Sequence, residues 1–225
     1  MRRMVLGRAM VCVWAVLMVA VPAHATIISD SLSIAEGDKL FNNFTCSVVN
    51  NGVGALPTDC SGVNVTPRTD AFGNLGLQFQ LAASDLTPGT SGDMLISYDV
   101  AVVNSPQHIS DIHLTFNGAV TGTGFTSVTE TADGIIPITG IIGQVEVTNP
   151  PPNFEAQVPL KQLVTKLHVE KDIIWGVDLP GPGSAHISFI DQFVSQTPEP
   201  ASMTLFGSAL VALAALARRR KAYKI

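Results

Sequence analysis

Few residues in this chain have the type and spacing that chemistry needs. His108 and His113 lie five apart in an alternating apolar stretch. On one strand that odd spacing sends them to opposite faces, so they do not chelate an ion together. His168 and Glu170 share a face and could join a metal site, but a solvated edge of an exposed face is the plainer reading of both. Glu170 and Asp172 also share a face if the strand runs that far, although a glycosidase carboxylate pair is set by space and not by sequence spacing. The run GTSGD at 89–93 lacks the Gly-x-Ser-x-Gly spacing and the following helix of a nucleophile elbow, and reads as a turn. The expectation is a protein that is not an enzyme, with no catalytic residues, no resident cofactor and no metal set that can be named.

Binding chemistry is the next possibility. Calcium would sit on loop carboxylates and carbonyls, but no DxDxDG loop or glycine-aspartate nonapeptide is present. Sugar platforms use exposed Trp or Tyr rings, which stack on the sugar while their polar tips stay wet. Between residues 26 and 197 there is one Trp, Trp175, and one Tyr, Tyr98. Trp175 follows Ile173 and Ile174 and reads as core. The Phe residues read as mostly core-facing. Ice binding would want flat Thr-x-Thr arrays, and Thr121-Gly122-Thr123 does not continue into one.

The elements that would carry any site read as strands. Lys39 to Val49, Leu75 to Leu81, Met94 to Val103 and Asp111 to Asn117 alternate apolar and polar residues. Thr26 to Ile34 is β-prone, and Phe125 to Thr131 is Thr-rich and expected to be more exposed. Ile135 to Val147 is interrupted by Pro137, Gly140 and Gly143, which predicts a bulge or two short strands. Leu163 to Val169 is β-branched enough to favour a strand over a helix. Ala185, Ile187 and Phe189 are expected to face one way in a final strand. Asn149 to Asn153 is a strong break but divides no complete core. Short strands between Gly, Pro, Asn and Asp turns, without an internal repeat, predict an all-β fold: an antiparallel β-sandwich, jelly-roll or Ig-like, over 26–197.

Cys46 and Cys60 are the two cysteines of that region, an even number in an exported chain. A disulfide closing the Gly- and Asn-rich segment between them is the natural reading. Two free thiols stay open as the alternative.

Both ends read as membrane-directed. Arg2, Arg3 and Arg8 precede an apolar run from Ala9 to Val21, and Ala23-His24-Ala25 is a small-x-small cleavage site. Residues 1–25 therefore read as a signal peptide, retained anchor being the alternative, with Thr26 the expected mature N-terminus. At the other end Pro198-Glu199-Pro200 precedes a charge-free run over 201–217, then a basic stop, 218–221: Arg218, Arg219, Arg220 and Lys221. Such a run makes a helix of roughly 25 Å, the lower limit for a bilayer core, and its cations favour the cytoplasmic side. A buried C-terminal helix is the alternative. Without these ends, residues 26–197 carry five basic residues against 17 acids, a formal charge of about −12. That surface repels nucleic acid.

The tail, TPEPASMTLFGSALVALAALARRRKA, resembles the PEP-CTERM sorting signal: a Pro-Glu-Pro triplet, one hydrophobic helix and an Arg-rich end, here over 198–225. The resemblance implies that an exosortase, a membrane-embedded cysteine protease, recognises Pro198, Glu199 and Pro200 and removes the tail during export. The N-terminal signal implies signal peptidase as a second processing enzyme, and the tail implies at least transient contact with the inner membrane and exopolysaccharide as a candidate partner. The same tail is sometimes labelled an ice-binding protein C-terminal domain, which describes the tail and not ice binding. The segments GDKLFNNFTCS, DMLISYDVAV and HISFIDQFVSQTPEP look like those of other PEP-CTERM exported proteins and bring no activity with them. The expected function is a non-catalytic, structural or adhesive protein of the envelope or extracellular matrix, whose membrane anchor is transient or retained. The alternative is a carbohydrate- or calcium-dependent binding module of the matrix.

Overall fold

The structure, a computed structural model, describes residues 25–135, 140–197 and 208–211. Among the described residues there are twelve strands: β1 (Thr26–Ile27), β2 (Ile34–Glu36), β3 (Lys39–Asn51), β4 (Asn64–Thr69), β5 (Leu75–Asp85), β6 (Thr90–Val102), β7 (His108–Gly122), β8 (Gly124–Gly134), β9 (Gly140–Asn149), β10 (Glu155–Val164), β11 (Lys166–Val177) and β12 (Gly183–Thr197). They form two antiparallel six-stranded sheets, β1-β4-β5-β12-β7-β10 and β2-β3-β6-β11-β8-β9. From β5 onward the pairing is nested: β8 with β9, β11 with β6 and β12 with β5, while β10 pairs β7. A long hairpin rolled into two layers gives this order, that of a jelly roll and not of an immunoglobulin sandwich.

The alternation expected over Leu75–Leu81, Met94–Val103 and Asp111–Asn117 is what fills the space between the sheets. Leu77, Phe79 and Leu81 of one sheet face Met94, Ile96, Tyr98 and Val100 of the other, all buried. Tyr98 is the hub, its ring 5.3 Å from Phe44 and 5.6 Å from Phe79. Trp175 is fully buried in the same core, as its sequence neighbours imply. Asp85 closes the passage from β5 to β6: its carboxylate accepts from the Thr87 N–H at 2.9 Å and the Thr90 hydroxyl at 2.6 Å. Cys46 on β3 is disulfide-bonded to Cys60, in a short 3-10 turn at Cys60–Gly62.

Several local expectations are corrected. The β-prone Thr26–Ile34 segment is divided, because β1 joins one sheet and β2 the other. The stretch at 89–93 is a turn only at its start; from Thr90 it is strand. The alternation at 163–169 breaks at Thr165, where β10 leaves one sheet and β11 enters the other. β8 is not an outer strand: Thr126, Val128 and Glu130 point inward and are buried. The expected irregularity near Gly143 is a register shift between β8 and β9. Pro137 lies outside the described residues, as do residues 1–24, including Ala23, and Pro198, Glu199, Pro200, Arg218, Arg219 and Arg220. Ala25 is described, exposed and outside any strand. Among the described residues no helix is long and apolar enough to cross a membrane.

Candidate functional site

Strand parity breaks in several strands, and two of the breaks, in β12 and β7, change a surface. In β12 the register shifts between Ile187 and Phe189. One extra residue reverses inside and outside. Ile187 and Ile190 therefore both sit in the core, and Phe189 is half-buried on the outer face instead of joining Ala185 and Ile187. Opposite the bulge, Ala82 on β5 takes φ +49°, an uncommon backbone for a residue with a Cβ. In β7 a second shift lies between Ile109 and Asp111, so Ile109 and Ile112, three apart, are both core residues. The parity argument that separates His108 from His113 does not survive it.

The β12 bulge shapes the outer face of its sheet. A depression of about 440 Å³ is lined by Asn64, Gln80, Ala82, His186, Ser188 and Phe189. A second, of about 320 Å³, is lined by Thr115, Phe116, Asn117, Gly118, Phe154 and Phe189. Phe189 is common to both. The floor is polar: the Gln80 amide donates to Gln78 at 3.1 Å, and the Gln78 amide donates to Asp191 at 2.9 Å. The His186 ring nitrogen Nε2 is 2.9 Å from the Ser188 hydroxyl. Farther along, His113 Nε2 meets Glu155 at 2.9 Å and its ring lies against Phe193. Amide and hydroxyl groups beside a flat ring can take a polyhydroxylated ligand: they donate and accept at once, and the ring covers its apolar face.

The opposite outer face is acidic. His168 and Glu170 share it, as their spacing requires, but His168 is committed to Asp99, Nδ1 to Oδ1 at 2.8 Å. The Asn43 amide and Lys166 hold the other Asp99 oxygen at 2.8 and 3.0 Å. Burial pushes the Asp99 carboxyl up, and the bonds from His168, Asn43 and Lys166 outweigh it, holding it below the ordinary carboxylate range. Asp172, beyond Glu170 on β11, is held above that range by burial first, then by Asp93 and Glu170. Among the described residues no group of three His, Cys, Asp or Glu side chains is placed to hold a metal ion.

The β-domain ends where the tail begins. Thr197 is the last residue of β12, and residues 196–221 match the family model of the PEP-CTERM protein-sorting motif. The chain carries a PEP-CTERM sorting signal. The motif marks an exported protein sorted to the envelope and implies processing by an exosortase. No curated protein matches the chain.

Two solved structures share a loose likeness. One is the enzymatically active domain of bacteriophage CBA120 tailspike protein 4, at 13% identity and a TM-score of 0.28, over 68% of this chain and 19% of that one. The other is TmCBM61 in complex with β-1,4-galactotriose, at 10% identity and a TM-score of 0.30, over 67% of this chain and 88% of that one. The chain thus spans about a fifth of the tailspike domain's length. Both likenesses are too slight to bear on what this chain binds.

Proposed function

We propose that this chain is a non-catalytic protein of the cell envelope or extracellular matrix, delivered by its PEP-CTERM tail as a β-domain with a structural or adhesive role. The sorting motif at residues 196–221 is the observation that carries the reading. A filled core supports it: Trp175 and Tyr98, the two side chains best suited to a sugar platform, are spent on packing. In the proposed route signal peptidase cuts after Ala25, the tail holds the domain at the inner membrane, and an exosortase then releases it at the Pro198-Glu199-Pro200 segment.

The test is intact mass of the protein by cell fraction in a host that makes an exosortase, for wild type and for a Pro198→Ala, Glu199→Ala double variant. The expected wild-type species starts near Thr26, lacks Arg218 to Lys221 and lies outside the inner membrane; the variant stays in the inner membrane with its cations. A wild-type protein that keeps those cations in the inner membrane overturns the processing route.

The paired depressions around Phe189 favour a second reading in which the domain binds the matrix glycan itself. They place amides, hydroxyls and the rings of Phe116, Phe154 and Phe189 along a bulged, positive-φ segment, where a ligand would meet backbone held off the regular strand path. Affinity electrophoresis in gels containing the host's exopolysaccharide tests it: retardation should be lost in Phe189→Ala and kept in Val49→Ala, on the other sheet. No retardation of wild type removes this reading and leaves the sorting one standing.

A further inference from the structure

The most unusual group in the fold is inside it. Lys171 on β11 and Glu130 on β8 are direct cross-strand partners, both pointing into the core with no solvent exposure. Gln192, equally buried, reaches them from β12 in the facing sheet. The Lys171 ammonium contacts the Glu130 carboxylate and lies 2.5 Å from the Gln192 carbonyl oxygen. The Gln192 amide nitrogen is turned away, donating to the Phe193 carbonyl at 3.1 Å. Glu130 Oε1 has no hydrogen-bond partner, and neither does the Tyr98 hydroxyl. The Phe79 ring lies 5.8 Å from Lys171 Nζ.

As an ordinary ion pair this arrangement is expensive. Two charges leave water, and apolar residues of the same volume would serve stability as well or better. As a reaction site it is well composed. A carbonyl bond is about 1.2 Å long, so with Oε1 at 2.5 Å the Gln192 Cδ is no farther than about 3.7 Å from Lys171 Nζ. That is close to the roughly 3–3.5 Å of a near-attack geometry. The apolar, aromatic surroundings exclude the water that would compete as nucleophile.

We propose that Lys171 and Gln192 join in an intramolecular isopeptide bond, Nζ to Cδ, tying the two sheets together, with Glu130 as the proton carrier. Lys171 attacks as the free amine. The Nζ–Cδ bond forms as the carbonyl opens to a tetrahedral centre, and the Cδ–Nε2 bond breaks as it recloses. Glu130, protonated at the start, gives its proton to the departing Nε2 and takes one from the attacking nitrogen. An amine and a primary amide become a secondary amide and one ammonia, with no oxidant or further reactant. Burial lowers the Lys171 amine and raises the Glu130 carboxyl, each against the pull of its partner, which favours the neutral amine and neutral acid that the first step needs. The product replaces a buried charge pair with a neutral amide and closes the β11–β12 connection covalently.

Peptide mapping of the folded, purified full chain tests this. Trypsin cannot cut after an acylated Lys171, and chymotrypsin opens the chain between the two residues at Trp175 and Phe189. The expected digest contains a branched peptide joining Lys171 to Gln192, lighter by one ammonia than the two linear peptides together. In Glu130→Gln the linear peptides should return at full mass. Linear peptides from folded wild type overturn the bond, with no variant needed. A loss of water joining Lys171 to Glu130 overturns the assignment of Gln192 as the acyl partner, and a bond that still forms in a folded Glu130→Gln variant overturns the role of Glu130.

Discussion

Thr197 on β12 pairs with His108 on β7, the last rung of the ladder before Pro198. Just before it, the Gln196 amide donates to Asp38 at 3.0 Å, which ties the end of β12 to the other sheet beside Lys39. The sorting motif thus starts inside the last strand, and the folded domain has used every residue up to the Pro-Glu-Pro triplet. A chain ending at Thr197 should have the thermal midpoint of the full domain within about 2 °C, read by circular dichroism. A chain ending at Ile190 should lose the cooperative transition, because Gln192, Phe193 and Val194 leave with it and β5 and β7 lose their shared partner.

The Cys46–Cys60 disulfide pins a segment with little packing of its own, since Val53 and Leu56 are exposed and Ala55 is the buried apolar residue within it. For a loop of this size the chain-entropy model gives a stabilisation of roughly 3 kcal/mol. Cys46→Ser with Cys60→Ser should lower the free energy of unfolding by about that amount in urea titrations, and reductant should lower wild type to match. A double variant as stable as wild type would mean that the segment is held by the Asn50 side-chain bonds to the Ala55 and Pro57 carbonyls instead.

Two layers of antiparallel strands were legible because alternation is a local property. Leu77, Phe79, Ile96, Tyr98, Ile112 and Leu114 all stand where their parity puts them, and Trp175 is core. What escaped was non-local or depended on a single residue. Nothing near Ser188 announces the bulge that turns Phe189 outward, so a one-residue slip misplaced the ring on which the candidate surface depends. β4 and β10 were missed because their apolar faces are short and each carries a proline. Parity puts Lys171 on the face of Leu167 and Val169, but nothing local announces that a lysine there meets Glu130, and their partner Gln192 is on the opposite sheet. The Cys pair was legible from number and compartment alone.

Acid stability should depend on Asp99. Its carboxyl is held below the ordinary value in the folded state, so the unfolded chain binds the proton more readily. Its contribution is fully present above the unfolded value of about 3.9 and is lost as pH falls through the lower folded value. Asp38 and Asp70 behave alike: burial raises each carboxyl, and bonds from Lys39 and Gln196, or from Asn74 and Phe72, more than compensate. The domain should lose stability steeply below about pH 4. In Asp99→Asn that slope should be shallower, with lower stability at neutral pH, measured as urea midpoints across pH 2 to 7. An unchanged slope would show that Asp99 does not titrate with unfolding.

Gly92 faces Trp175 across the β6–β11 ladder, and a Cβ built on Gly92 would collide with the indole ring. Trp175 has no room to retreat, because it is fully enclosed and its Nε1 makes no hydrogen bond that could be exchanged for another. The strain must therefore be taken up by the strand pair, where overpacking of a filled core typically costs about 1–3 kcal/mol. Gly92→Ala should destabilise by that amount in urea unfolding and shift the Trp175 emission to the red as the ring is pushed toward solvent. Gly62→Ala is the matched control, since Gly62, like Gly92, has no positive φ but has open space where the Cβ would go. If the two variants cost the same, steric contact with Trp175 is not what keeps position 92 a glycine.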